Sequence, residues 1–185
     1  MTKRLWGITF SVLALLTALV STPAAAAPPS SLAEAVAQQN RNVSAAACYN
    51  VTIRSLANGR LVSAELGWGG NDYGLLRARA TALGAWEWFR VCFNGSNSTI
   101  RSLANNRYVS AEIGWGGNDY GLLRARATAV GAWERFSFAS CGSGCVTIRS
   151  TANNRLVSAE LGWGGNDYGL LRARATAVGA WERFQ

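Results

Sequence analysis

The octapeptide Gly-Trp-Gly-Gly-Asn-Asp-Tyr-Gly occurs three times, at Gly67–Gly74, Gly114–Gly121 and Gly162–Gly169. Each copy sets an indole, an amide, a carboxylate and a phenol among glycines, which allow sharp turns and close approach of another molecule. Trp68, Trp115 and Trp163 can offer flat apolar faces of the kind on which sugar C–H groups pack. Asn71, Asp72 and Tyr73, Asn118, Asp119 and Tyr120, and Asn166, Asp167 and Tyr168 add donors and acceptors for hydroxyls. Aromatics joined to a few placed polar groups are the usual form of a small-ligand site. The structural alternative has the indole folding back over the hairpin base and the Asn-Asp pair closing the turn by local hydrogen bonds. Identity among the copies does not decide, because the flanking Leu75–Ala82 is repeated as faithfully.

Other chemistry finds little support. The chain has no histidine to act as a base. Glu65, Asp72 and Glu87 are the carboxylates that could hydrolyse glycosides, at separations of roughly 5–9.5 Å. Three equal copies of so weak a constellation suit multivalent binding better than one active site. No catalytic residue, metal or cofactor is therefore expected. Zinc would need more than Cys141-Gly-Ser-Gly-Cys145, which has neither a second cysteine pair at ligand spacing nor a histidine beside it. Four cysteines fit an exported, disulfide-bonded protein, and four allow three pairings.

Export is also written at the start of the chain. Lys3 and Arg4 precede the apolar Trp6–Val20, too short to span a bilayer, and Ala24–Ala27 offers small residues for cleavage. Residues 1–26 are read as a signal peptide, leaving a chain from Ala27 to Gln185 with no membrane span. The formal net charge of +8 falls to +6 on cleavage, all from arginine interleaved with glutamate. A nucleic-acid binder would show a clustered basic stripe, so no nucleic-acid partner is expected.

The elements that must carry these loops follow from repetition. Val51–Phe89, Ser98–Phe136 and Val146–Phe184 align without gaps. Residues 27–47 before them read as a leader or linker, with Ser31-Leu-Ala-Glu34 as a capping box for a short helix. In the first repeat, Val51–Leu56, Leu61–Glu65, Leu75–Ala80 and Trp86–Cys92 read as strands. Val51, Ile53 and Ser55 share one face, as do Leu76, Ala78 and Ala80. Ala57-Asn58-Gly59-Arg60 makes a tight turn that wants positive φ, which the asparagines of the other copies tolerate less easily. Twelve strands in three units are too few for a propeller, and one unit cannot bury its apolar face alone. The economical closed form is an all-β, single β-trefoil over 48–185, with Ile53, Ile100 and Ile148 in one core layer.

The spacing Ile-Arg-Ser-x-Ala-Asn-x-Arg-x-Val-Ser-Ala-Glu, then Leu-Arg-Ala-Arg-Ala, then Trp-Glu-x-Phe resembles the fascin-like repeat, most of all that of small secreted actinobacterial proteins. The resemblance covers Val51–Phe184 and implies a β-trefoil. It brings no catalytic residues. Eukaryotic fascins bundle actin with several such domains, so actin binding is not carried over to one exported domain. Ricin-type trefoil lectins have Gln-x-Trp where this chain has Trp86-Glu87-Trp88-Phe89, so their sugar sites are not carried over either.

Further roles follow from strand placement. Trp86, Trp133 and Trp181 are expected in the core and Trp88, which is arginine in the other copies, at the surface. Glu65–Arg77, Glu112–Arg124 and Glu160–Arg172 are expected as cross-strand pairs. The first and fourth strands of a trefoil unit run antiparallel side by side, which predicts Cys48–Cys92. Cys141 and Cys145, separated by Gly142-Ser143-Gly144, are then left to join. The functional expectation is a secreted, monomeric, non-catalytic module binding glycans through three loops. The alternative is an extracellular protein-binding or structural module.

Overall fold

The computed structural model describes residues 27–42 and 46–185, and the expected signal peptide, 1–26, lies outside them. The first repeat forms β1 (Cys48–Thr52), β2 (Leu61–Glu65), β3 (Leu75–Ala80) and β4 (Trp88–Cys92). The second forms β5 (Thr99–Ser102), β6 (Tyr108–Glu112), β7 (Leu122–Ala127) and β8 (Phe136–Gly142). The third forms β9 (Cys145–Ser150), β10 (Arg155–Glu160) and β11 (Leu170–Ala175). Where a twelfth strand was expected, the chain is reduced to bridges from Phe184 to Ser55 and Val146. Backbone hydrogen bonds of 2.8–3.0 Å from residues 183–185 to Arg54, Leu56 and Val146 complete that edge.

A closed ring results. β1 pairs with β4, and β4 with β5. A bridge from Ser98 to Phe136 joins β5 to β8, β8 pairs with β9, and Phe184 returns the ring to β1. The hairpins β2–β3, β6–β7 and β10–β11 cover one end. There β3, β7 and β11 pair in a triangle through Leu75 with Arg124, Leu122 with Arg172, and Leu170 with Arg77. A six-stranded barrel closed by three hairpins about a pseudo-threefold axis is a β-trefoil.

The alternation of residue types explains the core. Val51, Ile53, Val62, Ala64, Leu76, Ala78 and Phe89 are all fully buried, as are Phe136 and Phe184. Ile100 and Ile148 join Ile53 in the same cluster. Alanine at 78, 125 and 173 leaves room where three copies converge. Each buried phenylalanine contributes about 1.5–3 kcal/mol.

Three expectations about the fourth strand need correction. Ala85–Glu87 coils into a 3₁₀ turn, so β4 starts at Trp88 and not Trp86. The cause is Glu87, whose Oε2 accepts the Gly84 N–H at 2.7 Å and holds the turn closed. Trp86, Trp133 and Trp181 are consequently exposed, not core, at 37–38 %. Trp88 is half-buried, lining a cleft with Pro28, Pro29, Tyr49 and Arg90. The first strand also shifts, since β1 starts at Cys48, opposite Cys92, and ends at Thr52.

Two disulfides join Cys48 to Cys92 and Cys141 to Cys145. Both lie at the barrel end away from the hairpins. The same end carries helix α1 (Leu32–Arg41). Its capping box is formed: Ser31 Oγ accepts the Glu34 N–H at 3.3 Å, and Glu34 Oε2 accepts from Ser30 N and Ser31 N at 2.8 and 3.2 Å. Leu32, Ala35 and Val36 are buried in the main core. The stretch read as a leader or linker thus carries a helix packed across the barrel end. No described helix is long and apolar enough to cross a membrane.

Candidate functional site

Each octapeptide joins the two strands of a cap hairpin and folds the same way. Gly70–Asp72, Gly117–Asp119 and Gly165–Asp167 form 3₁₀ turns closed by the backbone. In the first loop Asp72 N donates to Gly69 O at 3.3 Å and Tyr73 N to Gly70 O at 3.4 Å. The turn therefore does not use the side chains of Asn71 and Asp72, which are exposed, as are Asn118, Asp119, Asn166 and Asp167.

The tyrosines are placed otherwise. Tyr73 Oη accepts from Asn105 Nδ2 of the second repeat at 3.3 Å. Tyr120 receives Asn153, and Tyr168 receives Asn58, at the same distance. Each of these asparagines also donates to a backbone oxygen of a cap strand, at 2.7–2.8 Å. Every loop is thereby tied to the next repeat, and the tyrosines hold the interlock. Nothing in the sequence marked Asn58, Asn105 or Asn153 for this role beyond their place in a turn.

Gly74, Gly121 and Gly169 complete the interlock. Gly74 has φ +76° and its carbonyl accepts the Ala125 N–H at 2.7 Å. A Cβ there would stand 2.7 Å from the Ala125 carbonyl oxygen, so only glycine fits.

The loop tryptophans are partly packed and partly exposed. Trp68 and Trp163 are 38 % and 39 % exposed, and Trp115 is half-buried. Their inner faces meet arginines: Arg77 Cζ is 5.7 Å from the Trp68 ring centroid, Arg124 is 4.8 Å from Trp115, and Arg172 is 5.7 Å from Trp163. Such contacts contribute from about 0.5–1 to about 2 kcal/mol as the cation is desolvated. A second tryptophan joins each loop. The tip of Trp133 lies over Gly114, where a Cβ would come within 2.8 Å of Cη2, and Trp86 and Trp181 lie over Gly67 and Gly162 likewise. Each loop is thus flanked by two partly exposed indoles from one repeat. The second was legible only as a repeated Trp-Glu-x-Phe.

The charges differ from expectation too. Glu65 pairs with Arg79, not Arg77, through two bonds of 2.8 Å. Glu112 pairs with Arg126, not Arg124, and Glu160 with Arg174, not Arg172. The reason is a bulge repeated in all three hairpins. Leu61 opposes Ala80 while Val62 opposes Ala78, leaving Arg79 without an opposite residue and free to reach back to Glu65. Arg77 instead goes under Trp68.

Arg77, Arg124 and Arg172 are 2–3 % exposed. Burial lowers the pKa of Arg77 from its ordinary value, Arg79 adds to that, and Glu65, Asp72 and Asp167 oppose it. Arg124 lies likewise near Asp72 and Asp119, and Arg172 near Asp167 and Asp119. Each aspartate therefore favours the charged form of arginines in two repeats, without an ion pair to either. Among the described residues, no group of three or more His, Cys, Asp or Glu could hold a metal ion. Glu65 is occupied by Arg79 and Glu87 by the Gly84 N–H. Away from the loops, a cleft of about 240 Å³ opens between α1 and the barrel, lined by Val36, Phe93 and Phe138.

Comparison with known protein families and with curated proteins finds no match to the sequence. Solved structures do match in shape. A designed threefold-symmetric protein, ThreeFoil, has a TM-score of 0.62 at 9 % identity, over 74 % of this chain and 96 % of that one. An exo-β-1,3-galactanase from Clostridium thermocellum has a TM-score of 0.59 at 15 % identity, over 72 % of this chain and 29 % of that one. A GlcNAcα1-4Gal-releasing endo-β-galactosidase from Clostridium perfringens has a TM-score of 0.55 at 11 % identity, over 74 % of this chain and 31 % of that one. At such identities the likeness is one of fold, and it agrees with the strand pairing in making this chain a β-trefoil.

Proposed function

We propose that this chain is a secreted, non-catalytic module that binds carbohydrate multivalently through its three loops. One observation carries the reading. Each loop presents two partly exposed indoles beside an asparagine and an aspartate whose side chains are exposed and make no hydrogen bond or ion pair among the described residues. Polar groups left to solvent next to aromatic faces suit the alternation of hydroxyls and C–H faces on a sugar. The resemblance to two glycan-cleaving enzymes, each matched over about a third of its length, supports the same class of ligand. Within the trefoil fold we group the chain with fascin-like repeats. Linked equivalent sites raise avidity without new contacts.

The rival reading is an extracellular protein-binding or structural module. It draws on the tyrosines and arginines, which tie the loops into the fold. A glycan array with free-sugar competition separates the two. Competition by a free sugar supports carbohydrate binding. Silence on the array together with capture of one specific extracellular protein refutes it.

A further inference from the structure

We propose that the hairpin end of this trefoil takes neutral, hydroxyl-rich ligands and turns polyanions away, although the chain as a whole is basic. The inference rests on the glycan-binding reading above and names the class of glycan.

The argument starts from where the charges lie. The chain carries a formal charge of +8, which alone would favour heparin-like polymers. The repeats, however, place their carboxylates at the hairpin end. Glu65, Asp72, Glu87 and their copies make nine and offset nine arginines there, six on β3, β7 and β11 and Arg60, Arg107 and Arg155 at the starts of β2, β6 and β10. The arginines of β3, β7 and β11 are also already engaged. Arg79, Arg126 and Arg174 are each held by two bonds to a glutamate. Arg77, Arg124 and Arg172 are buried beneath the tryptophans. The charges left exposed at the loop tips are Asp72, Asp119 and Asp167. A polyanion approaching the loops meets three carboxylates first.

Cations are disfavoured for a different reason. Each loop tryptophan already has a guanidinium against one face. That draws on the same ring electrons a cationic ligand would need on the other face.

A hydroxyl fits what remains. The carboxylates of Asp72, Asp119 and Asp167 are exposed and make no ion pair among the described residues, so they are open to a ligand that donates. Hydroxyls donate, whereas sulfate and carboxylate at neutral pH only accept.

Affinity electrophoresis tests the inference. The probes are neutral galactan, laminarin and galactomannan, polyanionic heparin and polycationic chitosan, each run from about 0.05 to about 0.5 M NaCl. Wild type is expected to be retarded by a neutral polymer with less than a twofold change across that range, and at least about tenfold more weakly by heparin at the screening of physiological salt. The triple variant Asp72→Asn, Asp119→Asn, Asp167→Asn is expected to fold, since these side chains are exposed, and to lose the neutral ligand. Retardation by heparin or chitosan that disappears in Trp68→Ala, Trp115→Ala, Trp163→Ala overturns the charge inference while leaving glycan binding in place. So does neutral binding that survives in the asparagine variant. No retardation on any polymer overturns both.

Discussion

Gly74 and Gly70 stand in one loop, both at positive φ, yet substituting alanine should have very different consequences. At Gly70, φ +60°, nothing among the described residues lies within 4 Å of a new Cβ. The cost is then the left-handed backbone penalty alone, about 1–2 kcal/mol. At Gly74 the Cβ would meet the Ala125 carbonyl oxygen at 2.7 Å, carbon at 3.1 Å and nitrogen at 3.3 Å. All three are backbone atoms of β7, which cannot rotate away. Opening that contact also lengthens the 2.7 Å bond from Ala125 N to Gly74 O. Overpacking adds about 1–3 kcal/mol and the strained hydrogen bond about 1 kcal/mol. Gly74→Ala should therefore cost about 3–6 kcal/mol in total. Equilibrium urea unfolding of the two variants measures both. Costs within about 0.5 kcal/mol of each other would refute the claim that this glycine locks neighbouring repeats together.

The corrected ion pair is checked by double-mutant cycles. Glu112 should couple to Arg126 by about 1–2 kcal/mol and to Arg124 by less than half of that, and the reverse order would restore the pairing expected from sequence. The helix cap predicts a pH dependence. Backbone N–H groups of Ser30 and Ser31 hold the Glu34 carboxyl below its ordinary range. A lowered folded value means that the cap's contribution is present above the unfolded pKa of about 4.3 and is lost as pH falls through the folded value. The melting temperature of wild type should exceed that of Glu34→Gln by a constant margin at neutral pH, and the margin should shrink below about pH 4. A margin that widens on acidification would contradict the cap.

The fold was legible because repetition makes the same pattern visible three times. Leu61–Glu65 and Leu75–Ala80 appear as strands with the boundaries that alternation predicts. What stayed hidden depends on contacts between repeats or on local irregularity. A bulge shifts no residue type, so nothing announced that Arg79 would take Glu65 while Arg77 went under Trp68. Trp86 read as core because it precedes Phe89 in a strand-like run. Glu87 closes a turn there and leaves the indole outside, against Gly67. The tyrosines were grouped with the ligand candidates because they share the octapeptide. Their asparagine partners sit 32–33 residues away for Tyr73 and Tyr120, and 110 away for Tyr168. Of the candidate residues in each loop, the structure leaves the asparagine and aspartate exposed and the tryptophan partly so, while the tyrosine hydroxyl is taken by an asparagine of the next repeat.

The central claim is that the three loops are equivalent ligand sites. Isothermal titration with a monovalent oligosaccharide chosen from the glycan array tests it most directly, in wild type and as Trp68, then Trp115, then Trp163 is changed to alanine. Each variant's melt must confirm that it folds, because burial of the indole against arginine predicts some loss of stability. The account predicts about three sites per chain in wild type, falling by about one with each substitution while the intrinsic affinity of the remaining sites is kept. One site that survives all three substitutions, or no change in stoichiometry as loops are removed, would contradict it.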